Sequence, residues 1–498
     1  MSNHSRSDLV VVGAGAAGLY AALTAADAGA SVTLISATPL AESASYWAQG
    51  GLAVALAEDD SPTKHYEDTI KAGRGAGRTD AARVLCAEAS LVLHDLTELG
   101  VAWDRDRHGR PALGLEGGHS CRRIVHAGGA ATGRRITRAL SAKAAESPLI
   151  TIVEDQRVDA LLSDGTSCRG VHLASGENVE ARAVILATGG AAAMWQRTSN
   201  PQTTVGRGIV VAHAAGAALA DLEMVQFHPT ALAGGIGRDG MLITEAIRGE
   251  GAVLVDADGQ RFVDELAPRD EVALAIHSRL LETGASSVAL DMRSVDPRLF
   301  PNIVASLLEC DLDPATDLIP VAPAAHYLMG GIQTNLYGQS TLPGLFAIGE
   351  SACTGLHGAN RLASNSLTEC FVFGRRAAIA SLESRAHPAG TVRQVECGGP
   401  VMPTDDTRAA LWTNAGLMRD KQGLESLLED EHPFARLVAA SALVREESRG
   451  AHRRMDFPET LSTLEAHHSS IVGDAEATMV PWNPAGAQEQ LITPAQLS

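Results

Sequence analysis

No apolar run in this sequence approaches the roughly 20 residues that a bilayer-spanning helix needs, so no membrane partner is expected. Positive charge is also in deficit: 40 Lys and Arg against 59 Asp and Glu leave a formal net charge of −19. A general nucleic-acid binder needs a basic footprint, so no nucleic-acid partner is expected, although one local cationic pocket for an anion is still allowed. Cysteine is sparse and unpatterned. Cys86, Cys121, Cys168, Cys310, Cys353, Cys370 and Cys397 are odd in number and form no CxxC. That argues against a disulfide framework and against zinc or iron–sulfur ligation, and fits scattered thiols in a reducing cytoplasm. Met1 to Asp8 is short and polar, without the apolar centre and cleavage site of a signal peptide. A cytoplasmic chain without internal repeats is expected.

Glycine, by contrast, is abundant, with 49 residues in 498, and much of it is clustered. Such clusters suit backbone packed close to something. At roughly 150 residues per domain the length predicts about three domains, and a hydrophobic content of 45% is enough for a large core.

The first cluster sits in a telling context. Leu9-Val10-Val11-Val12 reads as a strand, Gly13-Ala14-Gly15-Ala16-Ala17-Gly18 follows at once, an alanine-rich helix runs to about Ala28, and Ser31 to Ile35 reads as a second strand. This is strand–GxGxxG–helix–strand, a dinucleotide fingerprint. Gly13 permits the tight turn, Gly15 lets backbone approach a pyrophosphate, and Gly18 lets helix and strand pack closely. The helix then offers free N–H groups to phosphate. The acid that usually ends the second strand and binds ribose is replaced by Ser36. Two later segments, Val184 to Gly190 and Leu345 to Glu350, read as strands ending in small residues, the second with an acid. Strands so far downstream suit a cofactor long enough to touch several segments, FAD rather than NAD.

Periodicity predicts helices over Thr79–Leu99 and from Thr132 to about Ala145, and Asp164-Gly165 predicts a hairpin within Gln156–Val179. From Leu222 to about His326 loops and helices with many charges are expected, as an insertion between two halves of the cofactor domain. After about Gly398 an Ala/Leu/Glu/Arg-rich helical region is expected, with a polar tail from about Asn483.

Several segments concentrate groups able to grip an acid or move a proton. They are Gln226 to Thr230 with His228; Leu242 to Gly251 with Thr244, Glu245 and Arg248; Pro268-Arg269-Asp270 at an expected helix start; His326-Tyr327 before a Gly-Gly turn; and His357 to Leu367 with Arg361. Any single histidine here suits a structural role as well as a catalytic one; the ensemble is what points to an anion site.

With Ser45 to Gly51, Glu116 to Ser120, and Glu446 to His452 followed by Asp456-Phe457-Pro458, these segments occur in the order found in the succinate dehydrogenase/fumarate reductase flavoprotein superfamily. The chain resembles that superfamily, and within it the aspartate oxidase branch, from about Leu9 to Pro458. The resemblance implies an α/β fold: a Rossmann-type FAD-binding domain in two segments (1–221 and 328–397), an inserted α+β capping domain (222–327), and a C-terminal helical domain with tail (398–498). It implies FAD-dependent oxidation of L-aspartate to iminosuccinate by hydride transfer to flavin N5. Oxygen or fumarate would accept the electrons. This opens bacterial NAD biosynthesis, with functional coupling to a quinolinate synthase.

Carried over by motif, Glu116, His228, Thr244, His326 and Arg361 would bind the substrate, with Glu116 facing its ammonium. Arg269 would transfer the proton, and Glu245 and Arg248 would relay it. A guanidinium is an awkward base, its pKa lying above about 12, so burial and flanking cations would have to lower it. The cofactor would be held by Gly13, Ala14, Gly15, Ala16, Ala17, Gly18, Ser36, Ala44, Ser45, Tyr46, Trp47, Ala48, Gln49, Gly50, Gly51, Arg207, Glu350, Ser364, Ser366 and Leu367. Ala44 stands where relatives link flavin through histidine, so the FAD would be noncovalent. Two departures stand out: Ala37 where the family often has lysine, and Arg207 in place of the acid of a Gly-Asp-Gly stretch. Two other readings stay open: a soluble fumarate reductase or succinate dehydrogenase flavoprotein, and a catalytically silent FAD-binding protein.

Overall fold

A computed structural model describes residues 6–40, 43–235, 237–384 and 392–482. Its main sheet has eight strands. Arg6–Val12 runs parallel to Val32–Ile35 on one side and to Asn178–Leu186 on the other. Leu9, Val10 and Val11 are fully buried, which explains an uninterrupted apolar run: a parallel strand covered on both faces has no solvent side to mark with polar residues. Asn178–Leu186 changes neighbours along its length. Its first half pairs with the hairpin Val158–Ser163/Cys168–Leu173, and its end pairs in parallel with Leu345–Ala347. The helix after the glycine turn, Ala16–Asp27, packs on Asn365–Leu382, where Tyr20 and Phe371 meet edge to face at 5.3 Å. The two expected helices are Thr79–Glu98 and Thr132–Glu146.

The stretch whose pattern read as loops and helices also holds a four-stranded antiparallel sheet, in keeping with the α+β domain the resemblance implied: Val225–Leu232, Ile319–Leu328, Val288–Asp291, Val253–Val255 in spatial order. All eight residues of Val225–Leu232 are buried, so the strand shows no polar alternation. Pro229, Pro320 and Pro323 further disguise the pair. The last strand also runs past the expected boundary after residue 327. Helix Arg269–Thr283 packs on this sheet.

The C-terminal part corrects a second expectation. Helices Asp405–Asn414, Lys421–Leu427 and Pro433–Val444 are followed by a hairpin, His467–Ile471/Thr478–Pro481, that completes a five-stranded sheet with Leu219–Ala220, Gly331–Gln333 and Ala352–Cys353. The expected polar tail lies outside the described residues. All seven cysteines are free thiols. Among the described residues no helix is long and apolar enough to cross a membrane, and no group of three or more His, Cys, Asp or Glu is placed to hold a metal ion.

Candidate active site

The glycine turn is as tight as its sequence suggested. Gly13 has φ 106°, and a Cβ there would lie 2.2 Å from Ala187 O; one at Gly18 would lie 1.8 Å from Gly13 O. Helix Ala16–Asp27 therefore starts directly over the strand ends, with Gly15 at its N-cap and no side-chain cap. Ala14, Ala16 and Ala17 are buried beneath it. Ser45 Oγ accepts from Ala16 N–H at 3.1 Å, so the turn Ala44–Trp47 lies against the helix start. Beyond Ala48, Gln49 donates to Leu242 O while its Oε1 is buried without a partner, as are Ser43 Oγ and Thr188 Oγ1. Gly51 N–H donates to Ser364 Oγ, next to Gly50. Ser36 is buried at the end of the second strand, and Glu350 accepts from Leu328 N–H at 2.9 Å. Desolvation pushes the Glu350 carboxyl up to about 8.

A helix start over a glycine turn, with a glycine at its N-cap and unpartnered buried acceptors continuing towards Gln49, fits an extended dinucleotide such as FAD. Four residues expected in this set are used otherwise. Arg207 donates to Asp159 O and Cys397 Sγ, so its guanidinium is committed to the hairpin and the C-terminal segment rather than to the glycine turn. Trp47 turns outward, 64% exposed, beside Tyr46. Ser366 accepts from Arg361 at 2.9 Å, serving the substrate side. Leu367 is packed into the hydrophobic core.

Below Gly51 the chain assembles a cluster of buried cations. Arg269 Nη1 and Arg361 Nη2 donate to one and the same atom, Gln226 Oε1, at 3.2 and 3.0 Å. The amide is oriented by donating to Asn360 Oδ1 and Arg361 O. Arg269 is the first residue of its helix, behind Pro268, and its Nε donates to Glu245 at 2.6 Å. Glu245 also accepts from Gly117 N–H and lies 3.7 Å from Arg248. Burial raises this carboxyl, but Arg269 and Arg248 outweigh burial and hold it at about 2. Arg361 lies 4.4 Å above the Tyr327 ring, whose hydroxyl donates to buried Glu369. Burial and then the charge of Arg269 lower Arg361 to about 10. Arg361 Nε and Arg248 Nε and Nη2 are buried with no hydrogen-bond partner.

Two imidazoles complete the pocket, with ring centroids 5.1 Å apart. Burial first, then neighbouring guanidiniums and imidazole, depress His228 well below 6.5; burial, Arg361 and Arg269 do the same to His326. Both rings are therefore neutral at pH 7. His228 Nδ1 accepts from Thr230 N–H at 3.2 Å, which leaves its proton on Nε2 as a donor. His326 Nδ1 shares a hydrogen bond of 2.8 Å with Ser199, and Asn200 holds its carbonyl. Register shifts interrupt the Val225–Leu232 ladder between Gln226 and Phe227 and between His228 and Ala231, the kind of bulge that re-aims side chains. Thr230 is bonded through its backbone and hydroxyl to Ile243, which brings buried Thr244 alongside. Glu116 is buried at the cofactor side, accepting from Ser364 Oγ at 2.6 Å, with Oε1 4.0 Å from His126.

Sequence reasoning gave Gln226 no role. It is two residues from His228, but the strand that carries both was not legible in the sequence and is bulged between Gln226 and Phe227, so only its place in the same polar segment as His228 could have found it. Ser199, Asn200 and Glu369 carried no comparable signal, because distant segments bring them to the site.

Comparison with known proteins agrees with this geometry. Residues 8–367 match the family described as FAD binding domain, and residues 426–485 match that described as fumarate reductase flavoprotein C-term. A quinol–fumarate reductase structure with menaquinol molecules superposes with TM-score 0.87 at 28% identity, over 97% of this chain and 99% of that one. An Escherichia coli quinol fumarate reductase gives 0.85 at 28%, over 97% and 98%. The fold and site thus define an FAD-binding flavoprotein. L-aspartate oxidases of Nostoc sp. and Mycobacterium tuberculosis are 44% and 42% identical, over 93% and 94% of this chain and 93% and 96% of their own. The Streptomyces coelicolor L-aspartate oxidase is 39% identical over 95% and 92%. The chain belongs to the L-aspartate oxidase family.

Proposed function

We propose that this enzyme oxidises L-aspartate to iminosuccinate with FAD, as the opening step of NAD biosynthesis. The observation that carries the reading is the convergence of Arg269 and Arg361 on one neutral oxygen, with Arg248 beside them. Arg248 and Arg269 share Glu245, Arg361 forms no ion pair among the described residues, and three of their nitrogens lack a hydrogen-bond partner, which a bound dianion would supply.

FAD, when bound along the glycine turn and the Ala44–Gly51 segment, supplies the hydride acceptor; no protein atom is placed to bond it covalently at Ala44. Arg361 and the Nε2 donor of neutral His228 hold the carboxylates, with His326 and Thr244. Neutral imidazoles suit this task because they donate without adding to the repulsion among the arginines. The substrate loses hydride from its amino-bearing carbon and a proton from nitrogen. Arg269 exchanges a proton with the substrate nitrogen and the relay continues along Glu245 and Arg248, Glu245 being protonated only in passing and, ionised at rest, keeping Arg269 oriented. Glu116 attracts the substrate ammonium and so favours aspartate over succinate. Oxygen or fumarate takes the electrons onward, and the unstable product passes to a quinolinate synthase in the cytoplasm.

Anaerobic titration of the purified yellow protein tests this. L-aspartate should bleach the flavin absorbance, with D-aspartate inert. Bleaching by succinate but not by L-aspartate would instead support the fumarate reductase reading, and no bleaching by any dicarboxylate the silent one. Glu116→Gln should weaken aspartate by about tenfold while leaving fumarate binding within about twofold.

A further inference from the structure

The glycine-rich loop Gly73-Arg74-Gly75-Ala76-Gly77-Arg78 has no part in the chemistry above, yet it touches both elements that carry the substrate arginines. On one side it backs the Arg361 loop. Ala359 N–H donates to Gly73 O at 3.1 Å and Arg78 N–H to Gly355 O at 2.8 Å. The approach is close enough that a Cβ on Gly358 would lie 2.5 Å from Gly77 N. On the other side, Arg74 reaches the first turn of the helix that begins with Arg269. Its Nε and Nη2 donate to both oxygens of Asp270 at 2.9 and 3.0 Å, and Nη2 also pairs with Glu271. The Asp270 side chain is 1% exposed and that of Arg74 28%, so this is a fork-on-fork pair at a part-buried junction.

Arg74 is itself held in place. It adopts φ 55°, a left-handed conformation that costs a non-glycine residue about 1 kcal/mol. Its carbonyl accepts from Arg449 Nη1 at 2.7 Å, and Gly75 O accepts from Ala466 N–H at 2.8 Å. Three parts of the molecule thus meet at one residue: its own loop, the inserted helix, and the C-terminal segment.

We propose that Arg74 is a positioning residue that sets the separation between Arg269 and Arg361, and hence the length of dicarboxylate accepted. The inference rests on the reading that these two arginines bind the substrate. A rigid junction outside the pocket fixes where the inserted helix begins relative to the Arg361 loop. A ligand spanning both arginines depends on that separation, whereas a ligand bound at one end does not.

The test uses the oxidised holoenzyme, with fumarate as a dicarboxylate that cannot reduce the flavin and acetate as a single-carboxylate probe. Both are followed by perturbation of the flavin spectrum, with hydrogen exchange of residues 269–275 alongside. Arg74→Ala should weaken fumarate about tenfold, leave acetate within about twofold, and speed exchange at the helix start. Arg74→Lys, which loses the fork geometry but keeps the charge, should fall between. Asp270→Asn, nearly isosteric, gives the same comparison if Arg74→Ala does not accumulate. Unchanged fumarate affinity, or equal losses for both anions, would overturn the proposal. Arg361→Leu run in parallel separates the two claims: if it binds fumarate normally, the substrate reading fails; if it loses fumarate while Arg74→Ala keeps it, only the positioning role fails.

Discussion

Two of the buried arginine clusters among the described residues differ in how their charge is met. In the C-terminal junction Arg445 donates to Glu223 at 2.7 Å, to Glu447 at 3.1 Å, to Asp221 at 3.4 Å and to His467 O. Arg449 binds both oxygens of Glu447 and the carbonyls of Arg74 and Leu461. Arg445 and Arg449 there face three carboxylates, while neighbouring Arg419 is met by the carbonyls of Gly416 and Glu223 and by His452, with one nitrogen left without a hydrogen-bond partner. In the pocket Arg248 and Arg269 share Glu245, Arg361 is met by Gln226 and Ser366, and three nitrogens of Arg248 and Arg361 have no hydrogen-bond partner. Burial alone therefore does not separate structure from function. Compensation does: a network that satisfies itself holds the chain together, and one that is left cationic binds something.

The largest expected effect falls on the compensated cluster. Arg445→Leu should cost about 3–5 kcal/mol by leaving carboxylates buried and unpaired, read as a lowered denaturation midpoint or loss of soluble protein. Arg269→Leu, in the uncompensated cluster, should keep the yellow colour and cost less stability than Arg445→Leu, because Arg248 stays 3.7 Å from Glu245, while turnover falls by about a thousandfold. Comparable destabilisation by both substitutions would erase the distinction. Third, fumarate at a hundredfold excess over its Kd should stabilise the holoenzyme by about 2.7 kcal/mol, an increment absent from Arg361→Leu.

The smallest effect is on pH. His228 and His326 have depressed proton affinity in the fold and an ordinary value near 6.5 when unfolded, so the unfolded chain binds more protons below that value. Stability is then unaffected above about pH 6.5 and declines as pH falls further, and His228→Gln should flatten the slope of Tm against pH between about 6.5 and 5.

The local elements were legible where one physical rule dominated. The glycine turn, the helices from Thr79 and Thr132, and the Asp164-Gly165 hairpin each follow from periodicity or turn chemistry. The sheet containing Val225–Leu232 was not legible, since full burial removes alternation and three prolines mimic loops. The polar segments stood out because they are rich in Arg, His and Glu, and the family resemblance supplied the roles of single residues within them. Their mutual geometry could not be read, because the oxygen joining Arg269 to Arg361 belongs to a strand that is bulged at that point. Arg207 failed for a related reason: its partners, Asp159 and Cys397, lie far away in sequence.

The parallel pairing of Val184 with Leu345 has a temporal consequence. It closes a loop of about 160 residues, at an entropic cost on the order of 4–5 kcal/mol. During synthesis the glycine turn emerges early, but the strand that finishes the centre of the sheet follows about 330 residues later, some 15–70 s at ordinary translation rates. A growing chain thus displays its nucleotide signature long before it owns a place to keep the nucleotide, and shielding that half-built sheet falls to whatever else has already folded.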